Sequence, residues 1–149
     1  SILQKRTRSK QGPRMNLLID TNVILDMVQR REPFCANSKE IIARCIKQEH
    51  QGFVSAHSLC DIYYILRKDL SIPQRLKLVE MFCQFFTVIP EKSNDFIAVV
   101  QNPNTDDLED GLQIQCAAKC DLDYIVTRNI DDFKNSSVPA ILPSDFLAK

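Results

Sequence analysis

Short apolar runs alternate along the chain with longer segments in which apolar residues recur at helical spacing. The short runs predict β-strands at residues 16–20, 52–55, 87–89, 124–127 and 140–142. The longer segments predict α-helices at residues 38–48, 58–69, 73–85, 93–101 and 106–120. Strands that alternate with helices are typical of a mostly parallel sheet covered on both faces. The pattern therefore predicts an α/β fold.

One carboxylate follows the first apolar run directly, in the stretch LLIDTNVILD. Asp20 stands where the strand ends, although Asp is depleted in strands and costly to bury without a partner. The fourth strand leads into a second group of polar residues: Thr127, Arg128, Asn129, Asp131 and Asp132. Ligands of open parallel sheets bind beyond the carboxyl ends of the strands. We therefore expect the two strand ends to share one cleft.

Further acids lie in the predicted helices, and each has two interpretations. Ser58 and Asp61 have the spacing of a capping box, and the acids of residues 106–110 suit the positive end of a helix dipole. Alternatively, Asp107 and Asp110 lie three residues apart on one helix face and could bind a cation. Asp26 is interpreted as a cap or a solvent-facing residue.

Composition and charge narrow the functional classes. The 149 residues carry no net charge, but residues 1–14 hold five Lys or Arg and no acid, which leaves the rest at 14 basic against 19 acidic residues. We interpret residues 1–14 as an extraneous basic tail, with a native nucleic-acid arm as the alternative, and residues 15–149 as one domain. Without a membrane-spanning run or a signal region, the chain is expected to be soluble and cytoplasmic.

Carboxylates dominate the candidate chemistry. The sequence has no P-loop, no G-x-S-x-G and no H-E-x-x-H motif. His57 and Cys60 have the spacing of half a zinc site, but no second half follows at a suitable distance. Clustered carboxylates repel each other unless a cation intervenes, and oxygen ligands select hard ions such as Mg²⁺ or Mn²⁺. Such ions support phosphodiester hydrolysis.

Four motifs in order carry a resemblance to a known family. They are LLIDTNVILD, SLCDIYYILRK, DDLEDGLQIQCAAKCDLDYIVTRNIDDF and ILPSDFL, and the similarity runs from about residue 16 to residue 147. This set resembles the PIN domain, and in particular bacterial PIN proteins related to the VapC-type toxins. The resemblance implies a three-layer α/β/α sandwich and a Mg²⁺- or Mn²⁺-dependent endoribonuclease acting on single-stranded RNA. It also implies a homodimer and a cognate antitoxin as protein partner.

The resemblance assigns roles to individual residues. Asp20 and Asp110 match two acidic positions of the family, and Asp61 stands where many members have Glu. The fourth acidic position reads Asn129 here, so that Asn129 or the nearby Asp132 is expected to replace the missing carboxylate. The resemblance thus implies Asp20, Asp61, Asp110 and Asp132 as catalytic acids, with Asp107 and Asn129 as additional metal ligands. The expected outer-shell or substrate-binding residues are Asn22, Thr127 and Arg128.

Two other functions compete with the nuclease. A non-catalytic PIN-like RNA-binding or scaffold module is suggested by Asn129 and Asp61, which depart from the family pattern. A haloacid-dehalogenase-like phosphatase would need a second Asp two residues after the first, where this chain has Asn22. Cleavage of RNA separates the nuclease from the module, and phosphate release from a phosphomonoester would indicate the phosphatase.

Overall fold

Five parallel strands form the centre of the molecule. The computed structural model describes residues 12–149, and most of the predicted basic tail lies outside them. The strands of the described residues are β1 (Asn16–Ile19), β2 (Gln51–Ser55), β3 (Thr87–Ile89), β4 (Tyr124–Val126) and β5 (Ala140–Ile141). The α-helices are α1 (Thr21–Val28), α2 (Cys35–Ile46), α3 (Ala56–Ile65), α4 (Ile72–Phe85), α5 (Ser93–Gln101), α6 (Leu108–Lys119) and α7 (Pro143–Leu147).

Alternation of side chains along β1 defines the two faces of the sheet. Leu17 and Ile19 belong to one apolar core, with residues of α1, α2, α3 and α4. Leu18, between them, belongs to a second core that includes Cys116 and Ala117 of α6. All three strand residues are fully buried, as expected for a parallel strand covered on both faces. The predicted three-layer α/β/α sandwich is confirmed.

The strand order has one topological switch point, at which successive strands begin to be added on the other side of β1. The order is β3-β2-β1-β4-β5, and every neighbouring pair is parallel. From β1 the chain first builds outward through β2 and β3, and later adds β4 and β5 on the other side of β1. Ligand sites of such sheets lie at this switch, between the carboxyl ends of β1 and β4. Asp20 and Thr127 immediately follow these two strands.

Two helices were not predicted from the sequence. Helix α1 begins directly after Asp20, and its Val23, Ile24 and Leu25 are buried. Three consecutive buried apolar residues do not form the narrow stripe of a surface helix, so the helical period is hidden there. Helix α7 has only five residues, with a proline in its first turn, and is too short to show a period.

The starts of α3 and α6 each differ from the predicted ones by two residues. Helix α3 begins at Ala56, with Ser55 as N-cap, so the capping-box interpretation of Ser58 and Asp61 is wrong. Both residues lie inside the helix. Helix α6 begins at Leu108 with Asp107 as its N-cap, rather than at residue 106. Within residues 12–149, no helix is long and apolar enough to cross a membrane.

Candidate functional site

Asp20 is held in a polar pocket at the carboxyl end of β1. Its side chain is only 7% exposed. The Thr127 hydroxyl donates a hydrogen bond of 2.8 Å to Oδ2, and the Gln113 amide donates one of 3.3 Å to Oδ1. Burial raises the pKa of Asp20, whereas the hydrogen bonds from Thr127 and Gln113 lower it. The two donors therefore fix the orientation of a carboxylate that is costly to ionise.

Hydroxyl groups behind Asp20 extend this pocket. The Ser58 hydroxyl accepts hydrogen bonds from Thr21 at 2.9 Å and from Gln113 at 3.3 Å. It also shares a 2.7 Å hydrogen bond with Ser55. Ser55, Ser58 and Gln113 are buried, and the sequence analysis identified none of them as a site residue. One signal was available for Gln113, because it lies three residues after Asp110 and therefore on the same side of the helix.

Asp110, in the first turn of α6, lies among several like charges. Its pKa is raised to about 6, first by burial and then by the charges of Asp107, Asp132, Asp20 and Glu109. Asp20 and Asp132 therefore lie within electrostatic reach of Asp110. Among residues 12–149, no Lys or Arg forms an ion pair with Asp20, Asp110 or Asp132. The repulsion between these carboxylates is not compensated by a basic side chain.

A cleft of about 320 Å³ opens beside Asp110, between α5, α6 and the segment after β4. Five carboxylates line it, against the single basic residue Lys134: Asp106, Asp107, Asp110, Asp131 and Asp132. Asp20 does not line this cleft, but its charge acts on Asp110, so the buried carboxylate lies close to the cleft. We expected the ends of β1 and β4 to share one cleft, and the structure meets this expectation in part. Thr127, after β4, donates a hydrogen bond to Asp20, after β1, and the charge of Asp132 raises the pKa of Asp20.

The remaining acidic candidates occupy distinct places. Asp107 caps α6, because its Oδ1 accepts the backbone N–H of Asp110 at 2.9 Å. Asp132 is exposed in the 3-10 turn Ile130–Phe133, and its charge raises the pKa of both Asp20 and Asp110. Asn129 is exposed, and its backbone N–H donates to the Thr127 hydroxyl at 3.0 Å. The electrostatic contacts of Asp132 therefore favour it as the replacement for the fourth acid.

Asp61 contacts a different set of residues. A hydrogen bond between the carboxyl groups of Asp61 and Glu109 raises the pKa of Glu109, and burial and the charge of Asp61 add to this effect. His57, one helical turn before Asp61, lies close to the same pair. Sequence reasoning had not identified Glu109 as a site residue. Its position next to Asp110 was interpreted only as favourable for the helix dipole.

Arg128 and Asp26 form an ion pair that holds α1 to the end of β4. Asp26 is fully buried, so its interpretation as a cap or a solvent-facing residue is wrong. Arg128 donates through Nε at 2.6 Å and through Nη2 at 3.0 Å to the two oxygens of Asp26. The guanidinium also lies over the ring of Phe34, 4.3 Å from its centroid. Arg128 was expected to bind substrate. In the structure its guanidinium makes a bidentate contact with a carboxylate of the protein itself.

Asn22 lies in the first turn of α1 and is partly buried. No hydrogen bond from its side chain to Asp20 is found within the described part of the chain. The hydrogen bonds to Asp20 come instead from Thr127 and Gln113, so Gln113 takes the orienting place that was expected of Asn22.

The residues around Asp20 and Asp110 fit a hard divalent cation. Their side chains offer only oxygen ligands, which suit Mg²⁺ or Mn²⁺. A cation would relieve the repulsion that raises the pKa of Asp110. The Oε1 atom of Gln113 is buried without a hydrogen-bond partner, and it adds an unused acceptor next to Asp20.

Known proteins share this fold. A toxin–antitoxin complex from Klebsiella pneumoniae contains a chain with a TM-score of 0.63 and 19% identity; the match covers 85% of this chain and 97% of that one. FitAcB from Neisseria gonorrhoeae gives a TM-score of 0.61 at 17% identity, covering 86% and 98%. VapBC2 from Rickettsia felis, bound to a DNA fragment from its promoter, gives 0.58 at 16% identity, covering 86% and 98%. At these identities the likeness concerns the fold alone.

The sequence itself provides the assignment to a family. A search of curated proteins found no match. A family model described as PIN domain matches residues 16–131, which is well over half of the chain. The matched range includes Asp20, Asp61 and Asp110, and it ends at Asp131, one residue before Asp132. The resemblance described from the four sequence motifs is thereby confirmed. The chain belongs to the PIN-domain family.

Proposed function

We propose that this protein is a Mg²⁺- or Mn²⁺-dependent endoribonuclease that hydrolyses phosphodiester bonds of single-stranded RNA. The observation that carries the proposal is the group Asp20, Asp110 and Asp132, three interacting carboxylates without a basic ion-pair partner in residues 12–149, beside the switch point of the sheet. PIN domains are generally nucleases, which agrees with this chemistry. The choice of single-stranded RNA follows from the resemblance to bacterial PIN proteins.

We assign a role in this reaction to each residue of the candidate site. Asp20 and Asp110 would hold the cation, and Asp132, which lines the cleft together with Asp110, would add negative charge. Thr127 and Gln113 orient Asp20 through their hydrogen bonds, as outer-shell groups do in metal sites. When bound, the cation positions the phosphate, lowers the pKa of an attacking water and stabilises the leaving oxygen. Asp61 and Asn129 belong to the margin of the site, and Asp107 holds the first turn of α6 that carries Asp110.

Association with other proteins is a further part of the proposal. One structure with a similar fold is a toxin–antitoxin complex, and this chain is accordingly proposed to be a toxin that binds an antitoxin. A homodimer is proposed from the resemblance to other PIN proteins. Exposed apolar side chains support a contact surface on α4, where Ile72 and Leu76 lie four residues apart and are each 57% exposed. Light scattering of the purified chain distinguishes a dimer from a monomer.

Cleavage of a long, end-labelled single-stranded RNA tests the proposal. The wild type should cleave in Mg²⁺ and stop in EDTA, and Asp20→Asn and Asp110→Asn should lose cleavage. Thr127→Val, which removes only an orienting hydrogen bond, should lose about 10- to 100-fold. Asp145→Asn is the matched control, because Asp145 is an exposed acid outside the cleft. RNA binding without cleavage by the wild type would favour the non-catalytic module instead.

A further inference from the structure

His57 is held in a fixed orientation by Glu91. The Glu91 carboxylate lies 2.7 Å from the ring Nδ1 of His57, and its other oxygen accepts the backbone N–H of His57 at 2.7 Å. The Glu91 side chain is only 4% exposed. A carboxylate can only accept here, so Nδ1 carries the proton and Nε2 of the neutral ring carries the lone pair. Metal-binding histidines are commonly oriented by a carboxylate in this way.

Two carboxyl groups lie next to this ring. His57 and Asp61 are four residues apart on α3, and Glu109 approaches them from α6. One ligand atom of each residue lies within 4.8 Å of the other two. Within residues 12–149, neither Asp61 nor Glu109 forms an ion pair with a basic side chain. The group therefore combines an imidazole ring oriented by Glu91 with two carboxyl groups that have no basic ion-pair partner in the described residues.

We propose that His57, Asp61 and Glu109 form a second cation site, which prefers a transition-metal ion such as Mn²⁺ or Zn²⁺ over Mg²⁺. One imidazole nitrogen and two carboxylates suit these ions, whereas Mg²⁺ favours oxygen ligands alone. Three protein ligands leave further positions open to water or to a phosphate oxygen. A role of this second site in RNA cleavage, through a phosphate oxygen at an open position, rests on the proposed function. Its ability to bind an ion does not.

The sequence alone associated His57 with Cys60 rather than with carboxylates. The spacing of His57 and Cys60 had indicated half of a zinc site without a second half. Cys60 is exposed on α3, and the group around His57 contains carboxylates from two helices instead. Because Glu109 is 52 positions beyond His57, its approach depends on the packing of α6 against the sheet and was not visible in local spacing.

Nuclear magnetic resonance of ¹⁵N-labelled histidine rings tests the site directly. The chain has two histidines, and His50 serves as the internal control because its Nδ1 accepts the backbone N–H of Met15. On addition of Zn²⁺ the Nε2 resonance of His57 should shift and saturate, while His50 stays unchanged. Mg²⁺ should leave both rings unshifted. A His57 ring that does not respond to excess Zn²⁺ overturns the proposal.

Calorimetry with matched variants provides the second readout. Replacing even an outer-shell partner of a metal typically costs roughly 10- to 100-fold in affinity, so loss of the proposed ligand in Glu109→Gln should weaken Zn²⁺ binding by about tenfold or more. Glu80→Gln, which removes an exposed acid of α4, should leave the affinity within about twofold, since removing a remote surface charge has little effect. Glu109 is itself exposed, so its replacement is expected to fold. Equal Zn²⁺ affinities in the two variants would exclude Glu109 as a ligand and overturn the proposed site.

Asp20→Asn separates this inference from the proposed nuclease activity. The variant should lose Mg²⁺-dependent cleavage and keep the Zn²⁺ response of His57. If the wild type does not cleave RNA but His57 binds Zn²⁺, the nuclease proposal fails and the second site stands. If cleavage depends on Asp20 while His57 ignores Zn²⁺, the second site fails and the nuclease proposal stands.

Discussion

At the scale of single residues, Asp110 shows how a clustered acid lowers the stability of the folded protein. The pKa of this carboxyl is raised from 3.8 to about 6 by burial and by four neighbouring acids. Between about pH 4 and pH 6 the folded state therefore binds more protons than the unfolded chain. The stability that Asp110 confers is fully present below this window and is lost as the pH rises through it. Without a cation, Asp110 destabilises the protein at neutral pH.

Asp110→Asn should consequently stabilise the metal-free protein at pH 7 by about 1 kcal/mol, a value reduced for solvent screening because Asp110 is partly exposed. At pH 4 the wild-type carboxyl is protonated in the folded state, so the two proteins should be equally stable. Urea unfolding in EDTA at the two pH values measures this difference, with Asp145→Asn as the control. A variant that is less stable than the wild type at pH 7 would indicate a structural role for Asp110.

Residues of the site differ in how far the sequence could identify them. Asp20, Asp110 and Thr127 were selected as candidates because each has a local signal, namely a polar residue at a strand end or an acid in a recognisable motif. Gln113 had only its spacing from Asp110 as a local signal, and Ser58 was interpreted as part of a capping box. Their roles come from partners that are distant in sequence, Asp20 for Gln113 and Thr21 for Ser58. Asp26 was misinterpreted for the same reason, since its partner Arg128 lies 102 positions away.

At the scale of elements, the first turn of α6 carries two acids of the candidate sites, Glu109 and Asp110. Asp107 closes this turn by accepting the N–H of Asp110, and its charge also raises the pKa of Asp110. The residue therefore stabilises the helix through its hydrogen bond and opposes the ionisation of its neighbour. The sequence predicted this helix and its acids, but the exact start depended on which acid caps it.

Substitutions at Asp107 separate capping from metal binding. Asp107→Ala should lower stability by about 1 kcal/mol because the N-cap acceptor is lost. Asp107→Ser keeps an acceptor and removes the charge, so it should retain stability and Mg²⁺ affinity if Asp107 is a cap only. Thermal unfolding and calorimetry with Mg²⁺ measure the two effects. Loss of Mg²⁺ binding in the stable Ser variant would identify Asp107 as a metal ligand.

At the scale of the whole molecule, the fold brings together acidic residues that lie far apart in the sequence. The chain has equal numbers of acidic and basic residues, yet five carboxylates and one lysine line the cleft. Asp20, Asp110 and Asp132 come from three distant segments. The pairing of β1 with β4 places the ends of these two strands side by side, and Asp110 on α6 lies within electrostatic reach of Asp20 and Asp132. The alternation of elements predicted the parallel sheet, whereas its strand order follows from tertiary packing.

If Asp20 and Asp110 bind a divalent ion as proposed, the stability of the whole fold should depend on that ion. An ion that binds only the folded state adds RT ln(1 + [L]/Kd), or about 1.4 kcal/mol at ten times Kd. Mg²⁺ should therefore raise the melting temperature of the wild type, and raise it less in Asp20→Asn and Asp110→Asn, which lack one ligand charge. Thermal unfolding with and without Mg²⁺ measures these shifts.

NaCl at matched ionic strength is the control for this experiment, because simple screening relieves part of the same repulsion without a bound ion. Screening acts on the wild type and on the variants through their total charge, whereas a coordinated ion needs both Asp20 and Asp110. Specific binding therefore predicts that Mg²⁺ stabilises the wild type beyond NaCl, and that either substitution removes this excess. If Mg²⁺ and NaCl give the same shift, or if the excess persists in Asp20→Asn, these carboxylates do not hold the ion and the assignment of the metal centre is wrong.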